Sequence, residues 1–455
     1  MKNLLSILVL LSLLSCERFI DLDLPADQLT TETVFNDPVL AQAAVAGLYR
    51  SMDQNGFLSG GFAGGGLYLG TYTDELTSYQ FPNSDLYDLY NLTVTPRSGA
   101  ASALWDASYN QIYQANIIIS GLETSSGITD ILKRQFRGEA LFVRALLHYY
   151  LLQTYGEIPY VTSTSYNDNR TLKKISPSEV YAKIDDDLNS ALELLPENTP
   201  AGKRFRPSKA AVQLVKSRTA LSQGKWQDVL TATDALVSSN QYQLNPVIAN
   251  AYLKNNPSTI WQFSPPSATA ATQEANIYTL YFAPPFVVAL SPDLIRSFDQ
   301  RDLRLKNWTD SVVDFMGNRY YFSAKYKQTM VFSSQDEFSV ILRSEEAVLN
   351  RAEAFAQLGM LQASVDEINK IITRAGLDPI PLMAQSSLIK RIMLERRHEL
   401  FTEYGHRFID LKRTKTIDET MSVVKPQWKS HFQVLPLPEK ELLLNPNLYP
   451  QNVGY

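Results

Sequence analysis

The chain has 455 residues, a formal net charge of −5, 45% apolar and 20% charged residues. That balance excludes general disorder, and it lacks the basic excess a nucleic-acid binder needs. The single cysteine excludes a disulfide framework and any multi-thiolate zinc or iron–sulfur site. Aromatic surface is plentiful, with 24 Tyr, 20 Phe and 5 Trp.

Lys2 gives a short basic start, and Leu4 to Leu14 is apolar except for Ser6 and Ser12. Eleven residues are too few to cross about 30 Å of hydrocarbon as a helix, but they fit the apolar core of a secretory signal. Leu13-Leu14-Ser15-Cys16 follows the pattern of a bacterial lipobox, although Leu14 stands where that pattern has a small residue. Cys16 is therefore the expected lipidation site, with residues 1–15 removed as signal peptide. Glu17 to Gln28 is polar and reads as a tether. No other stretch reaches 18 apolar residues, so the expected product is exported and anchored without a transmembrane helix.

Helical spacing then appears in order along the chain. Val39 to Asp53 places small apolar residues three and four apart. Trp105 to Glu123 carries Trp105, Ile112, Ala115 and Ile119 on one stripe. Phe136, Ala140, Val143, Leu147 and Leu151 form another. Ser176-Pro177-Ser178-Glu179 has the N-cap, the N1 proline and the third-position Glu of a capping box, and the helix it opens runs to Pro196. Pro207-Ser208 opens a helix ending near Gly224, and a partner runs from Trp226 to about Ser239. Ser344 to Leu358 and Leu361 to Arg374 form a second pair split by Gly359. Ser386 to Tyr404 is a further helix stopped by Gly405. Both pairs look like the helix–turn–helix unit of tetratricopeptide repeats, although they are separated and degenerate.

Two regions break this pattern. Gly56 to Gly99 contains the run Gly60 to Gly66 and aromatics including Tyr68, Tyr72, Tyr79, Phe81, Tyr87 and Tyr90, with no Lys or Arg between Ser51 and Pro96. Asn245 to Ser339 is rich in proline and in aromatics such as Tyr278, Tyr281, Phe282, Trp308 and Tyr320. Long irregular insertions on a rigid scaffold are where function usually sits.

Motifs of other chemistries fail on inspection. The glycine run lacks both a Gly-Lys-Ser/Thr ending and GxGxxG spacing. His398-Glu399 starts like a zinc-protease helix, but position 402 is Thr. Asp185 to Asp187 reads as a solvated helix face. No catalytic residue, metal site or cofactor is expected. Glu395-Arg396-Arg397-His398-Glu399, followed by Arg407, Asp410 and Arg413, reads as a half-buried or buried ion-pair network, with Arg396 and Glu399 placed to pair along one face. General acid–base chemistry is the competing reading.

Taken together, the segments resemble the SusD/RagB family of Bacteroidetes outer-membrane lipoproteins. The resemblance runs through Leu22-Asp23-Leu24-Pro25, Ala44 to Tyr49, Trp105 to Asn116, Arg137 to Ala145 and Tyr155-Gly156-Glu157-Ile158-Pro159. It continues through Arg343 to Gly359, Arg374 to Leu377, Glu395-Arg396-Arg397, Gly405 to Arg413 and the tail from Leu437 to Tyr455, where Val453 replaces the usual proline. It implies a mainly α fold in which tetratricopeptide-like helix pairs form a superhelical scaffold carrying long irregular insertions. Residues 16–240 would be its N-terminal region and 241–455 its C-terminal region. It further implies a non-catalytic, lipid-anchored outer-membrane protein facing the cell exterior. Such a protein captures oligosaccharides, in some members peptides, and passes them to a SusC-like TonB-dependent transporter. An extracellular polysaccharide-degrading enzyme and a structural or peptide-binding lid of the transporter stay open as alternatives.

The residues point to where a sugar would sit. Sugars offer apolar ring faces to flat aromatics and hydroxyl rims to carboxylates or amides. Tyr72, Asp74, Glu75, Tyr79 and Phe81 give that mixture in the first irregular region, and Tyr278, Tyr281 and Trp308 give it in the second.

Overall fold

The computed structural model describes residues 30–199, 203–238, 241–330 and 336–455. Cys16 and the tether that follows it lie outside the described residues. The architecture is mainly α-helical. Long helices follow one another in a stack: Gly99–Thr124, Asp130–Tyr155, Pro177–Leu194, Lys209–Ser222, Trp226–Ser238, Ser344–Gln357, Leu361–Arg374 and Gln385–Leu400. Each packs on the next, as in a solenoid. The Trp226–Ser238 helix lies directly against Ser344–Gln357, so the two helical pairs seen in the sequence are spatial neighbours.

Local chemistry sets the helix ends. The Ser176 hydroxyl accepts from the Glu179 N–H, and the Glu179 carboxylate accepts from the Ser176 N–H at 3.0 Å, completing the capping box. Gly224 and Gly359 turn the two pairs at φ +68° and +77°, a left-handed region that side chains avoid. One core runs through most of the molecule. A second, built on Leu349, Ile368, Ile372, Leu388 and Ile392, welds the last helices together. Each such aliphatic side chain contributes roughly 1.5–3 kcal/mol on burial.

The described parts of the two irregular regions are joined. The first contains the short helices Gly65–Tyr72, all of whose residues are buried, and Asp85–Asn91. Its strand Leu76–Ser78 pairs antiparallel with Val288–Leu290 of the second region, Leu76 facing Leu290 and Ser78 facing Val288. The second region leaves the stack after Trp226–Ser238. It returns through Val340–Arg343, which pairs with Thr259–Gln262 immediately before the next helix. Between them a hairpin, Thr309–Val313 with Arg319–Ser323, packs its second strand against Val288–Leu290.

The glycine run serves packing. A Cβ on Gly64 would sit 2.0 Å from the Ser59 carbonyl oxygen, and one on Gly66 would sit 2.4 Å from that of Thr402. Backbone meets backbone there, which only glycine permits. The same contact corrects one expected boundary. The helix expected to reach Tyr404 ends at Leu400, and Thr402 and Tyr404 adopt φ +60° and +44°. This turn carries the Glu403 carboxylate to Arg343 and Lys325, so tertiary ion pairing overrides helix continuation. Among the described residues no helix is long and apolar enough to cross a membrane.

Candidate ligand-binding face

The joint between the two irregular regions extends past its last ladder pair. The Tyr79 N–H donates to the Val287 carbonyl at 2.9 Å, and Gln80 Nε2 donates to the Phe286 carbonyl at 2.7 Å. These bonds hold Phe81 and Phe286 on adjoining segments that extend the two strands. Phe81 is 77% exposed, Phe286 71%, Phe282 68% and Tyr281 58%. The rings of Tyr281 and Phe282 lie 6.5 Å apart. Tyr79 is half-buried and set edge-on to Tyr320 of the hairpin at 5.7 Å, while Phe315 is almost wholly exposed at the hairpin tip. Burial raises the Tyr79 hydroxyl above its ordinary range, so it is neutral at physiological pH and available as a donor. Neither segment carries a Lys or Arg, from Ser51 to Pro96 or from Asn255 to Ile295. Such a concentration of solvent-facing rings costs solubility and marks an interaction surface.

Of the expected contact residues, this face includes Tyr79, Phe81 and Tyr281. The others lie inside. Tyr72 is completely buried between Phe408 and Trp428, and its hydroxyl donates to the Phe432 carbonyl at 2.9 Å. Trp308 is buried over Lys325, Arg343 and Arg374, and its Nε1 donates to the Ile248 carbonyl at 3.0 Å. Its ring therefore offers a π-face to internal cations, and none is left for a sugar. Asp74 accepts two bonds from Arg407, both at 2.8 Å, and meets Arg397 at 2.9 Å. Burial alone would raise its pKa, but the two guanidiniums hold it down at about 2. Glu75 is buried beside it, and burial together with the Asp74 charge pushes its carboxyl up to about 8. Tyr278 is buried on the wall of a water-sized internal cavity it shares with Glu274 and Lys325. These five are corrected from contact residues to interior ones.

Phe282, Phe286 and Tyr320 complete the face without having been singled out as contacts. The signal for Phe286 was its place directly after Pro284-Pro285 in a stretch with no periodicity.

The Glu395–Glu399 cluster and its surroundings form a buried ion-pair network. Glu399 accepts from Arg343 at 2.5 Å, from Arg374, and from Arg304 at 3.4 Å. Arg304 also binds Asp302 at 2.8 Å and Glu395 at 2.6 Å. Arg396 does not pair with Glu399 along the helix; it binds Asp410 at 2.8 Å and Asn350 at 2.7 Å. Burial opposes ionisation of Glu399, yet the three guanidiniums hold its carboxyl far below the usual carboxylate range. His398 is kept neutral by burial and by Arg304, and its Nε2 sits 2.9 Å from the Ser297 hydroxyl. A carboxylate this enclosed and this fully engaged has no route to a substrate proton. Among the described residues no group of three or more His, Cys, Asp or Glu is arranged to hold a metal ion.

Two family models cover most of the sequence. One, described as "Starch-binding associating with outer membrane", matches residues 19–221, and the SusD family model matches residues 300–455. The chain belongs to the SusD family. SusD-like protein P38 of Formosa agariphila is 24% identical over 100% of this chain and 99% of its own. Starch-binding protein SusD of Bacteroides thetaiotaomicron is 30% identical over 40% of this chain and 30% of its own. Among solved structures, a laminarin-binding SusD-like protein superposes with a TM-score of 0.78 at 21% identity, covering 92% of this chain and 99% of that one. Surface glycan-binding protein A from Bacteroides uniformis gives 0.76 at 17%, covering 91% and 99%. The helical stack and its insertions are thus the fold of the SusD family.

Proposed function

We propose that this protein is a non-catalytic glycan-binding lipoprotein of the outer membrane. The observation that carries this reading is the solvent-facing set of Phe81, Tyr281, Phe282 and Phe286, with Tyr79, on segments free of Lys and Arg, and with Tyr320 of the hairpin set edge-on to Tyr79. Rings stack on the apolar faces of sugars, and the absence of cations favours a neutral oligosaccharide. Relatives named for starch, laminarin and surface glycans support the same class of ligand. Residues 1–15 act as the secretion signal, Cys16 carries the lipid, and residues 16–240 and 241–455 form the two regions of the mature chain. Bound glycan passes to a SusC-like TonB-dependent transporter beneath the protein.

Two assays test this. Mature protein incubated with a panel of neutral oligosaccharides should bind one or more of them by calorimetry and generate no new reducing ends; new reducing ends would establish the enzyme alternative instead. Cys16→Ala should move the protein out of the membrane fraction, since buried acyl methylenes contribute about 0.8 kcal/mol each. Unchanged partition would assign membrane association to the transporter contact alone.

A further inference from the structure

A second concave site lies on the other side of the short helix Gln273–Tyr278. Two adjoining cavities of about 210 and 260 Å³ share Arg50, Asp53, Phe263 and Pro265. Arg50 and Asp53 stand one turn apart on the helix Pro38–Gln54, and Arg50 Nη1 donates to the Asp53 carboxylate at 2.5 Å. Among the described residues the Arg50 guanidinium makes no other hydrogen bond, so its remaining donors open on the cavities. Asp53 is buried, and burial raises its pKa against the pull of Arg50. Gln273 Nε2 donates to the Asp53 backbone carbonyl, tying the far wall to this helix. Phe263 and Phe205 supply the apolar side, with Phe205 braced at 5.4 Å by Phe338.

We propose that this cleft is a second binding site, for a neutral sugar unit. The chemistry selects the ligand. A guanidinium beside a carboxylate matches a vicinal diol, one hydroxyl accepting from Arg50 and its neighbour donating to Asp53. The Arg50–Asp53 pair carries no net charge. Neither does the Arg206–Glu139 pair behind it, held at 2.8 Å. An anionic ligand would be repelled by Asp53, and a wholly apolar one would strand the Arg50 donors. The half-buried ring of Phe205 suits the face of a pyranose, with the buried Phe263 as the apolar floor behind it. The six-residue helix separating this cleft from Tyr281 rises only about 9 Å, so both sites border one element. The inference rests on the glycan-binding reading but concerns different residues.

Hydrogen–deuterium exchange on the mature protein tests it, with maltohexaose, laminarihexaose, xylohexaose and mannohexaose as probes. At least one probe should protect residues 42–54 and 263–273 as well as 79–90 and 281–286. Arg50→Ala and Phe205→Ala should weaken protection of the first pair of segments about tenfold in midpoint concentration. Protection of the second pair should not move, while Arg50→Ala, which unpairs the buried Asp53 carboxylate, lowers the melting temperature somewhat. Protection confined to 79–90 and 281–286 overturns the cleft and leaves the exposed aromatic face standing. Protection confined to 42–54 and 263–273 does the reverse. Cleft protection indifferent to both substitutions overturns the assigned residues, and no protection by any probe at millimolar concentration overturns both sites.

Discussion

Two regions of the molecule hold its most conspicuous side chains, and they are built on opposite rules. Around Glu399, five arginines and their carboxylates are sealed from water, each guanidinium committed to partners within a few ångströms. Around Phe286, apolar rings face water on segments free of Lys and Arg. Charge is inside and hydrophobe is outside, the inverse of the usual partition. The buried charges tie together helices distant in sequence; the exposed rings are the proposed contact with a glycan. In this fold a dense cluster of ionisable residues marks architecture, and the proposed recognition falls to an exposed apolar surface.

The sharpest way to break that comparison is to remove charge from the interior. Glu399→Ala leaves Arg343, Arg374 and Arg304 without a shared acceptor, and unpairing buried charge costs roughly 3–5 kcal/mol. Thermal melting should drop steeply, while sugar affinity per folded molecule stays unchanged. Trp308→Ala should behave alike, since truncating a buried aromatic costs about 3–5 kcal/mol. If Trp308→Ala abolished binding with an unchanged melting curve, the ring would belong to the ligand site after all.

A titration sharpens the same contrast. Glu75 in the unfolded chain ionises near 4.3, whereas in the fold its carboxyl is held at about 8. Between those values the folded state keeps a proton that the unfolded state has released. The stability Glu75 contributes is therefore full below about pH 4 and lost as pH rises toward 8. Glu75→Gln cannot ionise, so its melting temperature relative to the native protein should climb from pH 5 to pH 8, at roughly 1.4 kcal/mol per pH unit at most. A difference that does not vary with pH would show that Glu75 is ionised in the fold.

Much of this scaffold was legible in the sequence. Apolar stripes three and four apart located the long helices, and Ser176 with Glu179 marked a helix start to the residue. Gly224 and Gly359 marked the turns. The site was legible only in part, because burial in an aperiodic segment depends on distant partners. Asp74 and Glu75 look like surface acceptors until Arg407, 333 residues away, closes on Asp74. Tyr72 and Trp308 look like platforms until the tail and the charge network cover them. Phe81 and Tyr281 are exposed because they lie beyond the joint that the hairpin covers, where Tyr79 meets Tyr320. Arg396 and Glu399 sit three apart, close enough to pair locally, yet each is drawn to a stronger tertiary partner.

The smallest expected energy is also the most decisive. A ring that stacks on a sugar contributes roughly 1–2 kcal/mol, or about five- to thirtyfold in affinity. Calorimetry on Phe81→Ala and Phe286→Ala, using the neutral oligosaccharide that the native protein binds, tests the account most directly. Each substitution should weaken binding by about that factor, leave the melting curve unmoved, and leave affinity nearly independent of salt because no ion pair forms. Full affinity in both variants, or binding by the native protein that collapses at moderate salt, would contradict the claim that an exposed aromatic face captures a neutral glycan.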